Sequence, residues 1–143
     1  MLLAVDIGNT NITFGIFTGG NRIMRTFNIP TRNYTLNKLR QSLSKLEIDN
    51  VIICSVVPKV TRKIAKDLKA LSGRQPYIIG KHISVPIKNL YLNPKQVGQD
   101  RLVNAYAGVK LYGAPLVVID FGTAVTFDVI SKRKEYLGGM ILP

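Results

Sequence analysis

Residues 2–17, LLAVDIGNTNITFGIF, recur in altered form at residues 116–130, LVVIDFGTAVTFDVI. In both, an apolar strand ends in Asp, passes one apolar residue, turns through Gly and Thr, and resumes as a second alternating strand. With one residue fewer in the later turn, Asp6 matches Asp120, Gly8 matches Gly122, Thr10 matches Thr123, and Thr13-Phe14 matches Thr126-Phe127. Such self-similarity reads as an internal duplication. A strand that ends in Asp and bends through Gly and Thr offers backbone N–H groups and a hydroxyl to an approaching phosphate, and glycine permits the close contact. The carboxylate would repel naked phosphate, so its task is to hold a cation, or the water shell of one, that screens the charge. Read singly, each copy is also ordinary hairpin chemistry. Two copies in the same strand-turn-strand setting point to phosphate binding, with the bends as opposed jaws around a triphosphate.

Working outward from the first copy, a third strand is expected at about 22–29, after the turn Gly19-Gly20-Asn21 and before Pro30. Leu36, Leu39, Leu43 and Leu46 then fall at helical spacing behind Thr35 as a cap, and 51–57 is a buried-strand run. Val60, Ile64, Leu68 and Leu71 line one face of an amphipathic helix that Gly73 stops, and its basic face reads as solvated surface. A short strand follows at 77–79, extended pieces near 83–87, and a loop over 88–98. A helix from about Asp100 to Leu111 closes at Gly113 and precedes the strand at 116–119. Three strands, helix, strand, helix, strand, helix imply an α/β fold, a mixed five-stranded sheet with flanking helices, followed by the first hairpin of a second copy. The expected division is 1–113 for the first lobe and 114–143 for the start of the second.

The chain has 143 residues, 46% of them hydrophobic, and shows no low-complexity tract. Its single cysteine, Cys54, lies in the apolar run after Val51 and can form no internal disulfide. Asp6 interrupts the opening apolar residues too early for a signal peptide, and no apolar stretch is long enough to span a bilayer. A soluble, cytoplasmic protein without a membrane is the expectation. Lys and Arg outnumber Asp and Glu 20 to 8, a formal charge of +12, which suits either nucleotide phosphates or a dispersed solvated surface. His82 is the only histidine, so a multi-histidine metal site is excluded, and a surface or loop role is expected. SVVP at 55–58 reads as a strand end stopped by Pro58, and Tyr106 and Tyr112 as packing residues.

Between the two hairpins lies GQDRLVNAYAG, residues 98–108, with Asp100 and Arg101 in the first turn of a helix. The free N–H groups there stabilise a carboxylate, which makes Asp100 either a cap or a group that orients a hydroxyl and receives its proton in phosphoryl transfer. Arg101 could pair with a substrate carboxylate or with charge on a moving phosphoryl group.

DIGNTN at 6–11, SVVP at 55–58, YLNPKQVGQDR at 91–101 and DFGTAVTFD at 120–128, with GGMILP at 138–143, together resemble the type III pantothenate kinases. The resemblance implies a ribonuclease H-like, actin-like ATPase fold, shared with sugar kinases and heat-shock ATPases. It implies transfer of the ATP γ-phosphoryl group to pantothenate, the first step toward coenzyme A. It implies that Asp6, Ile7, Gly8, Asn9, Thr10, Asn11, Ile12 and Thr13 contact ATP phosphates, joined by Thr123 from the second lobe. ATP would bring Mg2+, and Asp120 would bind a monovalent cation, K+ or NH4+. Asp100 would be the proton acceptor, with Tyr91, Gly98, Gln99, Asp100 and Arg101 lining the pantothenate pocket. The family's members are homodimers whose pocket borrows residues from the partner.

Chains of that family continue past GGMILP, so a chain ending at Pro143 is expected to expose a sheet edge. It is also expected to have little kinase activity alone, because catalysis needs both lobes to close. Three rivals remain. A non-catalytic regulator of the same family would have lost Asp6, Asp100 or Asp120, all of which are present. A nucleic-acid-binding module would use the basic helix at 59–71, but no aromatic-basic recognition motif accompanies it. Another kinase of the superfamily, for a sugar or acetate, or an exopolyphosphatase, would share the hairpins, and GQDR followed by VNAYAG separates this chain from them.

Overall fold

A computed structural model describes residues 1–19 and 22–143, and they fall into two compact units, Met1–Ile83 and Ser84–Pro143. Gly20 and Asn21 of the expected turn lie outside the described residues.

The first unit begins with a meander, β1 (Leu2–Ile7), β2 (Asn11–Thr18) and β3 (Arg22–Pro30). Alternation sends Leu3, Val5 and Ile7 of β1 inward together with Ile12, Phe14 and Ile16 of β2, all at most 2% exposed. Phe14 stacks on Phe27 across the β2–β3 pair at 4.7 Å. Helix α1 (Leu36–Ser42) is capped by Thr35, whose Oγ1 accepts from the Lys38 N–H. Strand β4 (Asn50–Ser55) lies parallel to β1, as a crossover connection requires, and α2 (Pro58–Ser72) leads to the short β5 (Tyr77–Ile78). The sheet order is β3-β2-β1-β4-β5, a mixed five-stranded sheet as expected from the sequence. Helix α2 lays Ile64 and Leu68 onto it and ends at Gly73, whose φ of +68° is the left-handed cap that glycine adopts without strain.

Two local readings change. The expected helix over 35–46 ends four residues early, with Leu43 buried as its C-terminal cap. Pro58 starts α2 rather than merely stopping β4, because a residue without an N–H fits the first helical position.

The second unit carries β6 (Lys88–Asn89), α3 (Gln99–Tyr112), β7 (Leu116–Phe121), β8 (Val125–Ile130) and β9 (Glu135–Leu142), with sheet order β6-β9-β8-β7. Strand β9 extends the expected hairpin into a meander that repeats β1-β2-β3, and β6 turns part of the expected loop over 88–98 into a parallel partner for β9. Leu102, Ala105 and Gly108 of α3 face the sheet. At Gly108 an added Cβ would sit 2.8 Å from Leu116 Cδ1 and 3.2 Å from Val118 Cγ2, so the helix approaches β7 closely. Strand β7 is an edge of this sheet, with Val117 and Phe121 exposed. Among the described residues no helix is long and apolar enough to cross a membrane.

Candidate functional site

The duplicated stretches fold into matching hairpins. In the first unit Asp6 pairs across the sheet with Thr13, and in the second Asp120 pairs with Thr126. The first bend runs from Ile7 to Ile12 and the second from Phe121 to Val125, which is the one-residue difference that the sequence alignment requires. The Gly8 N–H reaches Asn11 O at 2.9 Å, and the Gly122 N–H reaches Ala124 O at 3.2 Å. A Cβ at Gly8 would lie 3.2 Å from Asn11 O, tighter than side chains ordinarily tolerate, so glycine is what lets this bend close.

The first bend is braced from two sides. Thr31 donates its hydroxyl to Gly8 O at 2.8 Å, and its N–H to Thr10 O at 2.9 Å. The Ser55 hydroxyl accepts from the Val57 N–H at 3.0 Å and from the Thr61 hydroxyl at 2.6 Å, tying the start of α2 to the end of β4. Asp6, Asn9, Thr10, Asn11 and Thr13 are exposed, while Ile7 and Ile12 are buried in the sheet. Those two can therefore contribute to a ligand only through their backbone.

Residues of the second unit that the sequence singled out are drawn together by α3. Gly98 is the N-terminal cap, Gln99 the first helical residue, and the Asp100 Oδ1 accepts the Arg101 N–H at 2.9 Å. Asn104, one turn beyond Asp100 on the same face, donates to Asp120 Oδ2 at 3.2 Å. The proposed proton acceptor and the proposed cation ligand are thus linked through a single helical turn. Asp120 opens onto a cleft of about 380 Å³ between α3 and β7, lined among others by Asn104, Gly108 and Leu116. Thr123 lies exposed in the bend that follows Asp120.

Arg101 reaches the neighbouring strand β8. Its Nε donates to Asp128 Oδ1 at 2.8 Å, its Nη2 lies 2.7 Å from the same oxygen, and Nη2 also donates to Phe127 O at 3.1 Å. The Tyr136 hydroxyl donates to Asp128 Oδ1 at 2.6 Å, and burial followed by that carboxylate pushes the phenol's pKa well above its ordinary value. Strand β9 makes room through Gly138 and Gly139. A Cβ on Gly139 would lie 1.7 Å from Phe127 O and 2.6 Å from Arg101 Nη2, and one on Gly138 would lie 2.9 Å from the Tyr91 ring. Tyr91 and Arg101, both expected in a substrate pocket, therefore rest on adjacent glycines.

Sequence reading missed Thr31, Asn104, Asp128, Tyr136 and this glycine pair. Asp128 alone carried a signal: in β8 it alternates with Ile130, which places a carboxylate on the buried face. His82 is exposed as expected, and its Nδ1 accepts the Ile78 N–H at 3.0 Å in a turn. Tyr112 is 83% exposed, so it does not pack, because α3 ends with that residue pointing off the sheet. A larger cavity, about 520 Å³ and lined by Leu3, Leu43 and Leu68, lies at the start of β1, the opposite end of that strand from the Gly8 bend.

The donor set limits what cation could bind. Among the described residues no three of His, Cys, Asp and Glu cluster as a metal cage. A single strand-end carboxylate instead suits an ion that keeps most of its ligands from water and phosphate.

The architecture is similar to that of solved phosphotransferases and phosphatases. A kinase described as a putative 2-dehydro-3-deoxygalactonokinase from Sinorhizobium meliloti matches with a TM-score of 0.54 at 12% identity, covering 99% of this chain and 53% of that one. A Ppx/GppA phosphatase of Aquifex aeolicus matches with a TM-score of 0.54 at 12% identity, covering 99% and 51%. These likenesses define the class of fold as the ribonuclease H-like, actin-like ATPase lobe. The model of the type III pantothenate kinase family matches residues 2–143, and the chain belongs to that family. It is 42% identical to the type III pantothenate kinases of Persephonella marina and Moorella thermoacetica over 152 aligned residues, which cover 100% of this chain. The chain spans about 60% of the length of those curated relatives.

Proposed function

We propose that this chain supplies nucleotide- and pantothenate-binding groups of an ATP-dependent pantothenate kinase, which phosphorylates pantothenate to 4'-phosphopantothenate as the first step of coenzyme A biosynthesis. The observation that carries this reading is the array on α3, where Asp100 and the Asn104 that holds Asp120 lie one turn apart. A phosphoryl acceptor seated beside Asp100 would lose its hydroxyl proton to that carboxylate as the new P–O bond forms and ADP leaves. Backbone groups and hydroxyls from Asp6 to Thr13, with Thr123, would hold the phosphates, and Asp120 would hold a monovalent cation, K+ or NH4+, beside them. Mg2+ bound with ATP would neutralise charge on the β- and γ-phosphoryl groups. Tyr91 and Gly98 to Arg101 would line the pantothenate pocket.

In this reading residues 1–113 are the first lobe and 114–143 the start of the second. The compact units divide instead between Ile83 and Ser84, because α3 packs on β7 and β8. A cytoplasmic homodimer is the expected setting. The test begins with binding, by calorimetry of the purified chain with pantothenate and with the ATP–Mg2+ complex. It continues with phosphoryl transfer in K+ against sugars, acetate and polyphosphate as rival substrates. Saturable pantothenate binding supports the reading, and any transfer, expected to be weak in this chain alone, should favour pantothenate. Transfer to one of the rivals in preference to pantothenate, or binding of neither ligand, overturns it.

A further inference from the structure

Asp128 is the only fully buried charged residue among the described ones, and its environment is unlike that of a pair kept for stability. One oxygen, Oδ1, accepts from Arg101 Nε and the Tyr136 hydroxyl and lies 2.7 Å from Arg101 Nη2 in the ion pair. The other, Oδ2, is buried with no hydrogen-bond partner among the described residues. A buried ion pair is at best neutral against apolar residues of the same volume, and an unmet carboxylate oxygen makes it worse. What the arrangement does provide is direction. Arg101 is 14% exposed, with Nε and Nη2 committed to β8, so only Nη1 is left for another partner. The side chain follows directly on Asp100 in the first turn of α3, and Gly139, the cross-strand partner of Asp128, leaves the space it occupies.

We propose that Asp128 is a positioning residue that acts through Arg101, fixing the guanidinium on β8 and with it the first turn of α3 that carries Asp100. Tyr136 completes the clamp by holding the same carboxylate oxygen. As it bears on pantothenate, this inference rests on the function proposed above. It adds that Arg101 can offer a ligand one nitrogen, not the two-pronged grip that a free guanidinium gives a carboxylate.

The experiment compares the unaltered chain with Asp128→Asn and Tyr136→Phe by two readouts. The first is the nitrogen-15 signal of the Arg101 Nε–H, which a buried clamp protects from exchange with water. The second is pantothenate affinity against ATP affinity. Asp128→Asn is expected to abolish the protected signal and weaken pantothenate about tenfold, leaving ATP affinity within about twofold. Tyr136→Phe, which keeps the ion pair, is expected to speed exchange of the signal and weaken pantothenate about threefold. A merely structural role would lower stability without splitting the two affinities. A folded Asp128→Asn variant with unchanged pantothenate affinity overturns the proposal, and so does an unprotected Arg101 signal in the unaltered chain. Should Asp128→Asn not fold, Tyr136→Phe decides by the same criteria. If the unaltered chain binds no pantothenate, the proposed function falls, while the clamp stands or falls on the Arg101 signal alone.

Discussion

Tyr34 and Tyr136 both bury their phenols and donate to carboxylates, Tyr34 to Asp67 at 2.9 Å and Tyr136 to Asp128 at 2.6 Å. Burial first, and the carboxylate second, raises both pKa values above the ordinary tyrosine value of 10.0. Above about pH 10 the unfolded chain releases protons that the folded chain retains, so this contribution to stability is complete below pH 10 and declines as the pH climbs further. Phenolate absorbance from Tyr34 and Tyr136 should therefore appear only together with loss of far-ultraviolet dichroism. Their ionisation in an intact fold just above pH 10 would contradict the described burial. Gly139 sets a second constraint at this scale, because the atom in its way is backbone. Gly139→Ala should cost at least about 3 kcal/mol in denaturant unfolding. Gly108→Ala should cost about 1 kcal/mol or less, since Leu116 Cδ1 can rotate aside and alanine favours the helix.

Among the elements, α2 shows how closely local chemistry sets boundaries. Pro58 opens it, Ser55 accepts the Val57 N–H just before it, and Gly73 closes it at a φ of +68° with open space around the missing Cβ. Gly73→Ala should lower unfolding free energy by about 1 kcal/mol through backbone strain alone, as no side chain would clash. Ser55→Ala should cost about 1 kcal/mol by leaving the Val57 N–H without its side-chain acceptor, while the Thr61 hydroxyl keeps Val57 O as a partner. Equal stability of either variant and the unaltered chain in urea unfolding would contradict these assignments. The helical period of α2 and its stop at Gly73 were legible because they lie within a few residues of one another, whereas Pro58 read equally well as the end of β4. Strand β9 was not legible, since EYLGGMIL carries two glycines that locally suggest a turn. They belong to a strand paired with β8, where the missing side chains leave room for Tyr91 and Arg101.

For the whole molecule, the residues proposed for the reaction are divided between the two compact units, with Asp6 to Thr13 in one and Asp100, Asp120 and Thr123 in the other. Asp100→Asn should leave the thermal midpoint nearly unchanged and lower any pantothenate phosphorylation by about 10²–10⁴-fold, the usual loss when a proton acceptor is removed. Asp120→Asn should weaken the response to K+ while leaving pantothenate affinity in place, measured by titrating K+ at fixed ATP. A K+ response identical to that of the unaltered chain would remove Asp120 from the cation's site. The formal charge of +12 adds a general attraction for nucleotide phosphates, so ATP affinity should fall as salt rises.

The amino-acid order by itself determined the duplicated hairpins, the mixed sheet, the glycine stops of α2 and α3, and the candidacy of Asp6, Asp100 and Asp120. Each of these is written in short-range signals, such as alternation, helical spacing, a turn residue or an echo of an earlier stretch. Only the tertiary structure decided that Asn104 holds Asp120, that Tyr91 and Arg101 rest on Gly138 and Gly139, and that Asp128 faces Arg101 rather than solvent. Those contacts join residues from 16 to 47 positions apart. They depend on strand register and on which face of β8 is covered, and a one-residue slip of β7 or β8 would turn Asp120 or Asp128 to the opposite face of the sheet.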